Sequence, residues 1–168
     1  MSKTAAILGL GERGKLWAAL FQDAGWQVVG FDPDPLAGGS NAPREGFSKV
    51  ETISAAASQA EWVMICLPER LELVQMVIQR AQAEASNDSV IAVCSDVHDI
   101  EDIQNCSLRP GRVVLLRGRP QSGVDLIASS RNEDALKVDA IAVLSELGDQ
   151  VLQLEDGKVQ NLKDFRSA

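Results

Sequence analysis

The chain has 168 residues, 45% of them hydrophobic and 24% charged, with a formal net charge of −8. That is the balance of one globular domain with a real core, too short for a cofactor domain plus a full-sized substrate domain, and it contains no apolar run of the ~18–20 residues that a bilayer span needs. The acidic balance repels nucleic acid and anionic lipid at long range, which removes both as principal partners, and the first apolar run lacks the pattern of a signal peptide, so a cytoplasmic location is expected.

Apolar runs of strand length alternate with amphipathic stretches of helix length, the rhythm of a doubly wound α/β sheet. In chain order, Thr4 to Leu8 reads as a strand, and a helix runs from about Arg13 to Ala24, stopped by Gly25. Trp17, Leu20 and Phe21 at helical spacing read as its sheet-facing core. A second strand spans Gln27 to Phe31, and the Gly-, Pro-, Ser- and Asn-rich stretch from Pro33 to Phe47 reads as a loop. A short strand at Lys49 to Glu51 and a short helix at Ser54 to Gln59 precede a strand at Trp62 to Leu67.

After Pro68, the spacing of Leu71, Val74, Val77, Ile78 and Ala81 predicts a helix with one apolar face. Further strands are expected at Ser89 to Cys94, Arg112 to Arg117, Val124 to Ala128 and Gln150 to Leu154, with a helix over Asn132 to Leu147 before Gly148. Only Pro120 to Gly123 separates two of these strands, and so short a link predicts an antiparallel pair closing one edge of an otherwise parallel sheet. The expected layout is a Rossmann-type domain over residues 1–155 followed by a tail over 156–168. Cys66, Cys94 and Cys106 have neither CxxC nor metal-ligand spacing, so no disulfide or metal site is expected.

Gly9, Gly11 and Gly14 form a GxGxxG pattern between the first predicted strand and helix. Gly9 suits the tight turn, Gly11 lets backbone approach a pyrophosphate, and Gly14 lets the helix pack closely on the strand. The phosphates then meet backbone N–H groups at the positive end of the helix, which makes Leu10, Glu12 and Arg13 contact candidates as well. For Arg13 and Lys15, solvation at the helix start is the favoured reading over pyrophosphate contact. The pattern alone balances a cofactor site against a merely structural turn. Asp32, ending the second strand, tips the balance, because its carboxylate can accept the ribose hydroxyls of NAD(H) and repels the 2′-phosphate of NADP. Arg44 in the following loop is the one residue favouring that phosphate.

The strings GLGERGKLWAALFQDAGWQVVGFDPDP, LPERLELVQMVIQRAQAEA and RPGRVVLLRGRP carry a wider likeness. With them the sequence resembles the 3-hydroxyacyl-CoA dehydrogenase family, especially its carnitine dehydrogenase-like members, most specifically in its first half. The resemblance implies an N-terminal NAD-binding domain, followed in that family by a helical domain that completes the substrate site and the dimer. This chain stops at Ala168, before such a domain.

The same resemblance implies a catalytic histidine oriented by a glutamate, acting as general base. Arg119 stands at the histidine position, Asp125 is the nearest acid beyond it, and Ser122 falls where the family has asparagine. Ile65 replaces a family glutamate ahead of the PER stretch, and Cys94 to His98 stands at a serine-rich substrate-binding turn. Within it Ser95 and His98 are the candidate catalytic groups, set against capping of a short helix at Asp99 to Ile103 by Ser95 and Asp96, and against a solvated loop position for His98. The CLP string at Cys66 to Pro68 also resembles the 6-phosphogluconate and β-hydroxyacid dehydrogenases, which bind the cofactor ribose just after that strand. That likeness makes Leu67 and Pro68 cofactor-contact candidates.

Three functions remain open. The favoured one is a stand-alone NAD(H)-binding domain without the catalytic histidine, acting as sensor or accessory subunit. The second is an active dehydrogenase of a hydroxyacyl or carnitine-like molecule, completed by a homo-oligomer or a partner chain. The third is a protein-interaction domain with a vestigial cofactor site. Sheet surfaces that a helical domain normally covers favour self-association.

Overall fold

A computed structural model describes residues 3–38 and 45–148. The expected strand at Gln150 to Leu154, the tail and Arg44 lie outside those residues.

Seven strands of the described residues form one sheet: β1 (Thr4–Leu8), β2 (Gln27–Phe31), β3 (Phe47–Lys49), β4 (Trp62–Ile65), β5 (Val90–Cys94), β6 (Val113–Arg119) and β7 (Gly123–Ile127). Their order is β3-β2-β1-β4-β5-β6-β7. Every neighbouring pair is parallel except β6 and β7, which run antiparallel with Arg117 opposite Asp125. The order reverses between β1 and β4, and at such a switch point the loops after the two strands part to leave a crevice.

Among the described residues, five α-helices cover the sheet: α1 (Glu12–Asp23), α2 (Ile53–Ala57), α3 (Leu71–Glu84), α4 (Ile100–Asn105) and α5 (Asp134–Glu146). Alternate residues along each strand feed opposite faces. Ala5, Ile7, Val28, Trp62 and Met64 pack with Trp17 and Phe21 of α1 and Leu136, Ala140 and Leu144 of α5. Ala6, Leu8, Val63, Ile65, Val93 and Leu115 pack with Val74, Val77 and Ile78 of α3 and with Ile100 and Ile103 of α4. Two-sided burial explains why the parallel strands read as unbroken apolar runs.

The differences from the sequence reading lie at element ends. The edge strand β3 begins at Phe47, two residues before the expected Lys49, because buried Phe47 pairs with Val28. The short helix is Ile53–Ala57, started by the Thr52 hydroxyl, which accepts the Ala55 N–H at 3.0 Å. β4 ends at Ile65, and α5 starts at Asp134 because Asn132 is used inside the fold.

Two fastenings hold the far elements. Buried Gln104 donates to the Val113 carbonyl at 3.0 Å and accepts the Ser129 hydroxyl at 2.6 Å, while Asn132 donates to the carbonyls of Gly111 and Val113. At the opposite end Trp26 Nε1 donates to Glu146 at 3.0 Å and Lys3 Nζ lies 3.1 Å from the same carboxylate. The Trp26 hydrogen bond, helped by Lys3, lowers the Glu146 carboxyl below its usual range.

Candidate dinucleotide cleft

The three glycines of the turn have different physical reasons. Gly9 has φ of +101°, and a Cβ there would sit 2.1 Å from the Cys66 carbonyl oxygen. A Cβ on Gly14 would lie 1.8 Å from the Gly9 carbonyl oxygen, so α1 seats against the turn only because both are glycine. Gly11 has an ordinary φ of −70°, and a Cβ there would meet nothing within 4 Å. The space beside it is open. Gly11 is also the N-cap of α1 and supplies no side-chain cap, so the first-turn N–H groups of a twelve-residue helix face that space.

Asp32 sits beside the turn at the end of β2. Its Oδ2 accepts the Leu10 N–H and its Oδ1 the Asp34 N–H, both at 2.8 Å. Each carboxylate oxygen keeps a lone pair for a hydroxyl donor. The Leu10 N–H is therefore engaged by Asp32, and the Leu10 side chain is buried against Gly30 and Gly38. A cleft of about 530 Å³ opens next to Asp32, lined by Phe31, Pro33, Pro35, Lys49, Val50 and Glu51. Lys49 Nζ donates to the carbonyls of Asp34, Pro35 and Ala37 at 3.2, 3.0 and 2.8 Å and so fixes the loop after β2.

Across the switch point a second cleft, of about 380 Å³, is lined by Glu12, Arg13, Cys66, Leu67, Asp96 and Arg119 among others. Asp96 organises its rim. Its Oδ2 lies 2.8 Å from both the Arg13 and Arg119 guanidinium groups, and its Oδ1 accepts the Gly118 N–H at 3.0 Å. Arg13 is accordingly no solvated cation: its side chain is 15% exposed and also donates to the Gly118 carbonyl. Two carbonyl and carboxylate acceptors within reach of one guanidinium outweigh hydration at the helix start.

Ser95 and Asp96 do not cap α4, whose N-cap position is Asp99. The buried Ser95 hydroxyl accepts the N–H groups of Val97 and His98 and donates to Glu69, and Glu69 also accepts the Asp96 N–H at 2.8 Å. His98 contributes its carbonyl to Arg117 at 2.6 Å, and its Nε2 is buried without a hydrogen-bond partner, which differs from a solvated loop position. Neither Ser95 nor His98 is among the residues lining the cleft. Leu67 lines it, whereas exposed Pro68 uses its carbonyl to accept the Arg70 N–H.

Cys66 lines this cleft, and its sulfur is 3.6 Å from that of buried Cys94. Donation of the Cys66 S–H to Cys94, followed by burial, pushes the Cys66 thiol well above the ordinary range, with Arg13 pulling the other way.

Sequence reasoning did not identify Glu69, Lys49, the bridging role of Asp96 or the proximity of Cys66 to Cys94. For Glu69 a signal existed in the PER string, where it stands just before the helix. For the others none did, since each depends on contacts between distant segments.

A sheet reversing between β1 and β4, a glycine turn opening a helix there and a carboxylate ending β2 define a dinucleotide-binding α/β domain of the Rossmann class. The family model of the acetohydroxy acid isomeroreductase NADPH-binding domain matches residues 1–102. The chain belongs to this family of nicotinamide-dinucleotide-binding domains.

Its curated relatives include an L-carnitine dehydrogenase/betainyl-CoA thioesterase of Ruegeria pomeroyi, 30% identical over 67% of this chain and 27% of that protein. An L-carnitine dehydrogenase of Nocardiopsis dassonvillei is 30% identical over 67% of this chain and 40% of its own length. The aligned region is thus well under half of either relative. In fold, the chain is similar to the 3-hydroxybutyryl-CoA dehydrogenase of Escherichia coli, with a TM-score of 0.78 at 17% identity, covering 90% of this chain and 38% of that one. A 3-hydroxyacyl-CoA dehydrogenase of Archaeoglobus fulgidus gives 0.78 at 17% identity, covering 96% and 60%. Among the described residues no helix is long and apolar enough to cross a membrane.

Proposed function

We propose that this domain holds NAD(H) across the β1–β4 switch point, in preference to NADP(H), and reports or presents the cofactor as a sensor or accessory subunit rather than moving a hydride itself. The carrying observation is the Asp32 carboxylate, fixed by the Leu10 N–H at 2.8 Å with lone pairs left for the ribose hydroxyls. The α1 N-terminus and Gly11 receive the pyrophosphate, Arg13 flanks it, and the backbone around Leu67 and Pro68 borders the second ribose. When bound, the dinucleotide supplies a ring that can take up or release a hydride.

Among the described residues no histidine lines the cleft of Arg13 and Arg119. Arg119 lines the cleft where the resemblance places the family histidine, and a guanidinium held by Asp96 is protonated at every ordinary pH and cannot accept a hydroxyl proton. The relatives' names suggest L-carnitine and hydroxyacyl-CoA as the molecules to test.

Calorimetric titration is expected to show saturable NADH binding at least about tenfold tighter than NADPH, a difference of about 1.4 kcal/mol that one fixed carboxylate readily supplies. Incubation with NAD and either a short 3-hydroxyacyl-CoA or L-carnitine is expected to give no NADH absorbance. Sustained NADH formation would overturn the non-catalytic reading, and tighter NADPH binding would overturn the cofactor preference.

A further inference from the structure

Cys94 ends β5 and Cys66 is the residue that follows β4, whose last pair in the parallel register sets Ile65 opposite Val93, one residue before each cysteine. Neighbouring strands are about 4.8 Å apart, inside the roughly 4.4–6.8 Å Cα separation that a disulfide accepts. Both thiols are free, their sulfurs are 3.6 Å apart, and both side chains belong to the same face of the sheet. The two differ in access. Cys94 is 3% exposed, whereas Cys66 is half-buried and lines the cleft between Arg13 and Leu67. Cys106 stands apart, packed on the opposite face of the sheet near Ile103.

We propose that Cys66 and Cys94 are a redox modification site in which a small hydroperoxide entering through the cleft converts the two thiols to a disulfide, and that cofactor occupancy and this oxidation oppose one another. The second half rests on the cofactor reading above; the first does not.

The Cys66 thiolate attacks one peroxide oxygen, the O–O bond breaks, and the leaving oxygen departs as water or alcohol after taking a proton, leaving a sulfenic acid on Cys66. The Cys94 thiolate then attacks that sulfur, forming the S–S bond and expelling hydroxide, which leaves as water with the remaining proton. The two sulfurs together lose two electrons and the peroxide gains them.

Closing the pair draws the sulfurs from 3.6 Å to about 2.05 Å. The Cys66 carbonyl is the group against which Gly9 packs, so a shift of this backbone reaches the glycine turn directly. A dinucleotide in the cleft covers the side from which the peroxide arrives. Because the attacking group is the thiolate, oxidation should quicken as pH rises.

The test treats the reduced, full-length protein with hydrogen peroxide at about pH 7 and about pH 9, with and without saturating NADH. Alkylation and digestion after arginine and acidic residues place Cys66, Cys94 and Cys106 in separate peptides. The expected product is a Cys66–Cys94 linked peptide lighter by two hydrogens, with Cys106 still alkylated, faster formation at the higher pH and a slowing of at least about fivefold by NADH. In Cys94→Ser the sulfenic acid on Cys66 should persist and be trapped by dimedone. Cys66 left unlinked in the wild-type protein would overturn the site. A linked peptide whose formation NADH does not slow, in protein shown by calorimetry to bind NADH, would overturn the antagonism. Absence of NADH binding by calorimetry would overturn the cofactor reading while the peroxide result still decides the thiol pair.

Discussion

Gly11 and Gly14 look equivalent in the GxGxxG string, and the space around them says they are not. A methyl group on Gly14 would overlap the Gly9 carbonyl oxygen at 1.8 Å, a backbone contact that only a shift of α1 relieves. Overpacking of this kind costs about 1–3 kcal/mol and more when backbone must move. A methyl group on Gly11 meets no protein atom within 4 Å, and its φ of −70° suits any residue. Gly11→Ala is therefore expected to stay within about 1 kcal/mol of wild-type stability, the difference reflecting the poorer N-cap. It should nevertheless weaken NADH binding by at least about tenfold, because its methyl group projects where the pyrophosphate approaches. Gly14→Ala should lower the denaturation midpoint first and binding with it. Urea unfolding and NADH titration of both variants separate the two roles, and equal effects on stability would show that the glycines are interchangeable after all.

At the scale of elements, the weakest sequence signal sits where α4, β6 and the entry to α5 meet. Gln104 is buried within a six-residue helix that periodicity barely supports, and its amide bridges the Val113 carbonyl, the Asn132 side chain and the Ser129 hydroxyl. Gln104→Ala leaves the Ser129 hydroxyl without its acceptor, while Asn132 still donates to the Val113 carbonyl, so the cost is that of one buried unsatisfied polar group, about 1–3 kcal/mol. Gln104→Leu fills more of the volume but restores no hydrogen bond. Both variants should unfold at lower urea than wild type with an unchanged slope, and a midpoint unmoved in both would remove the network from the account of stability. The same region shows where sequence reading fails. The apolar runs of β1, β2, β4 and β5 and the face of α3 were legible because burial on two sides, or on one helical stripe, is written in local spacing. The glycine turn was legible because Gly9 against the Cys66 carbonyl and Gly14 against the Gly9 carbonyl leave no room for a side chain, which restricts residue type. Gln104 with Asn132, Asp96 with Arg13, and Cys66 with Cys94 are partnerships across 28, 83 and 28 positions, and no periodicity encodes them. Arg13 illustrates the cost: its position suggested a solvated cation, and only the fold supplied Asp96.

On the scale of the whole molecule, the proposed cofactor crosses the sheet at its one point of reversed order and touches segments from both halves of the chain. The glycine turn, the end of β2 and the loop after β4 belong to the first half, whereas Asp96 and Arg119 reach the same crevice from the second. A ligand bound there ties the parallel strands at their carboxyl ends, and ligand that binds only the folded state adds RT ln(1 + [L]/Kd) to stability. At one hundred times Kd that is about 2.7 kcal/mol, which for a domain of this size corresponds to a rise in Tm of roughly 5–10 °C. The net charge of −8 sharpens the comparison among cofactors, since each further phosphate enters an already negative field. NADH is therefore expected to raise Tm by roughly that amount, and NADPH at the same concentration by clearly less. ADP should fall between them, because it retains the pyrophosphate and the adenosine ribose but lacks the second ribose that reaches the Leu67 side of the cleft. Asp32→Asn keeps an acceptor for the ribose hydroxyls and removes the charge, so it should narrow the gap between NADH and NADPH without abolishing the NADH shift. Scanning fluorimetry of wild type and Asp32→Asn with each of the three ligands reads all of this at once. An NADPH shift equal to that of NADH in the wild-type protein would mean that the carboxylate at the end of β2 does not select the cofactor.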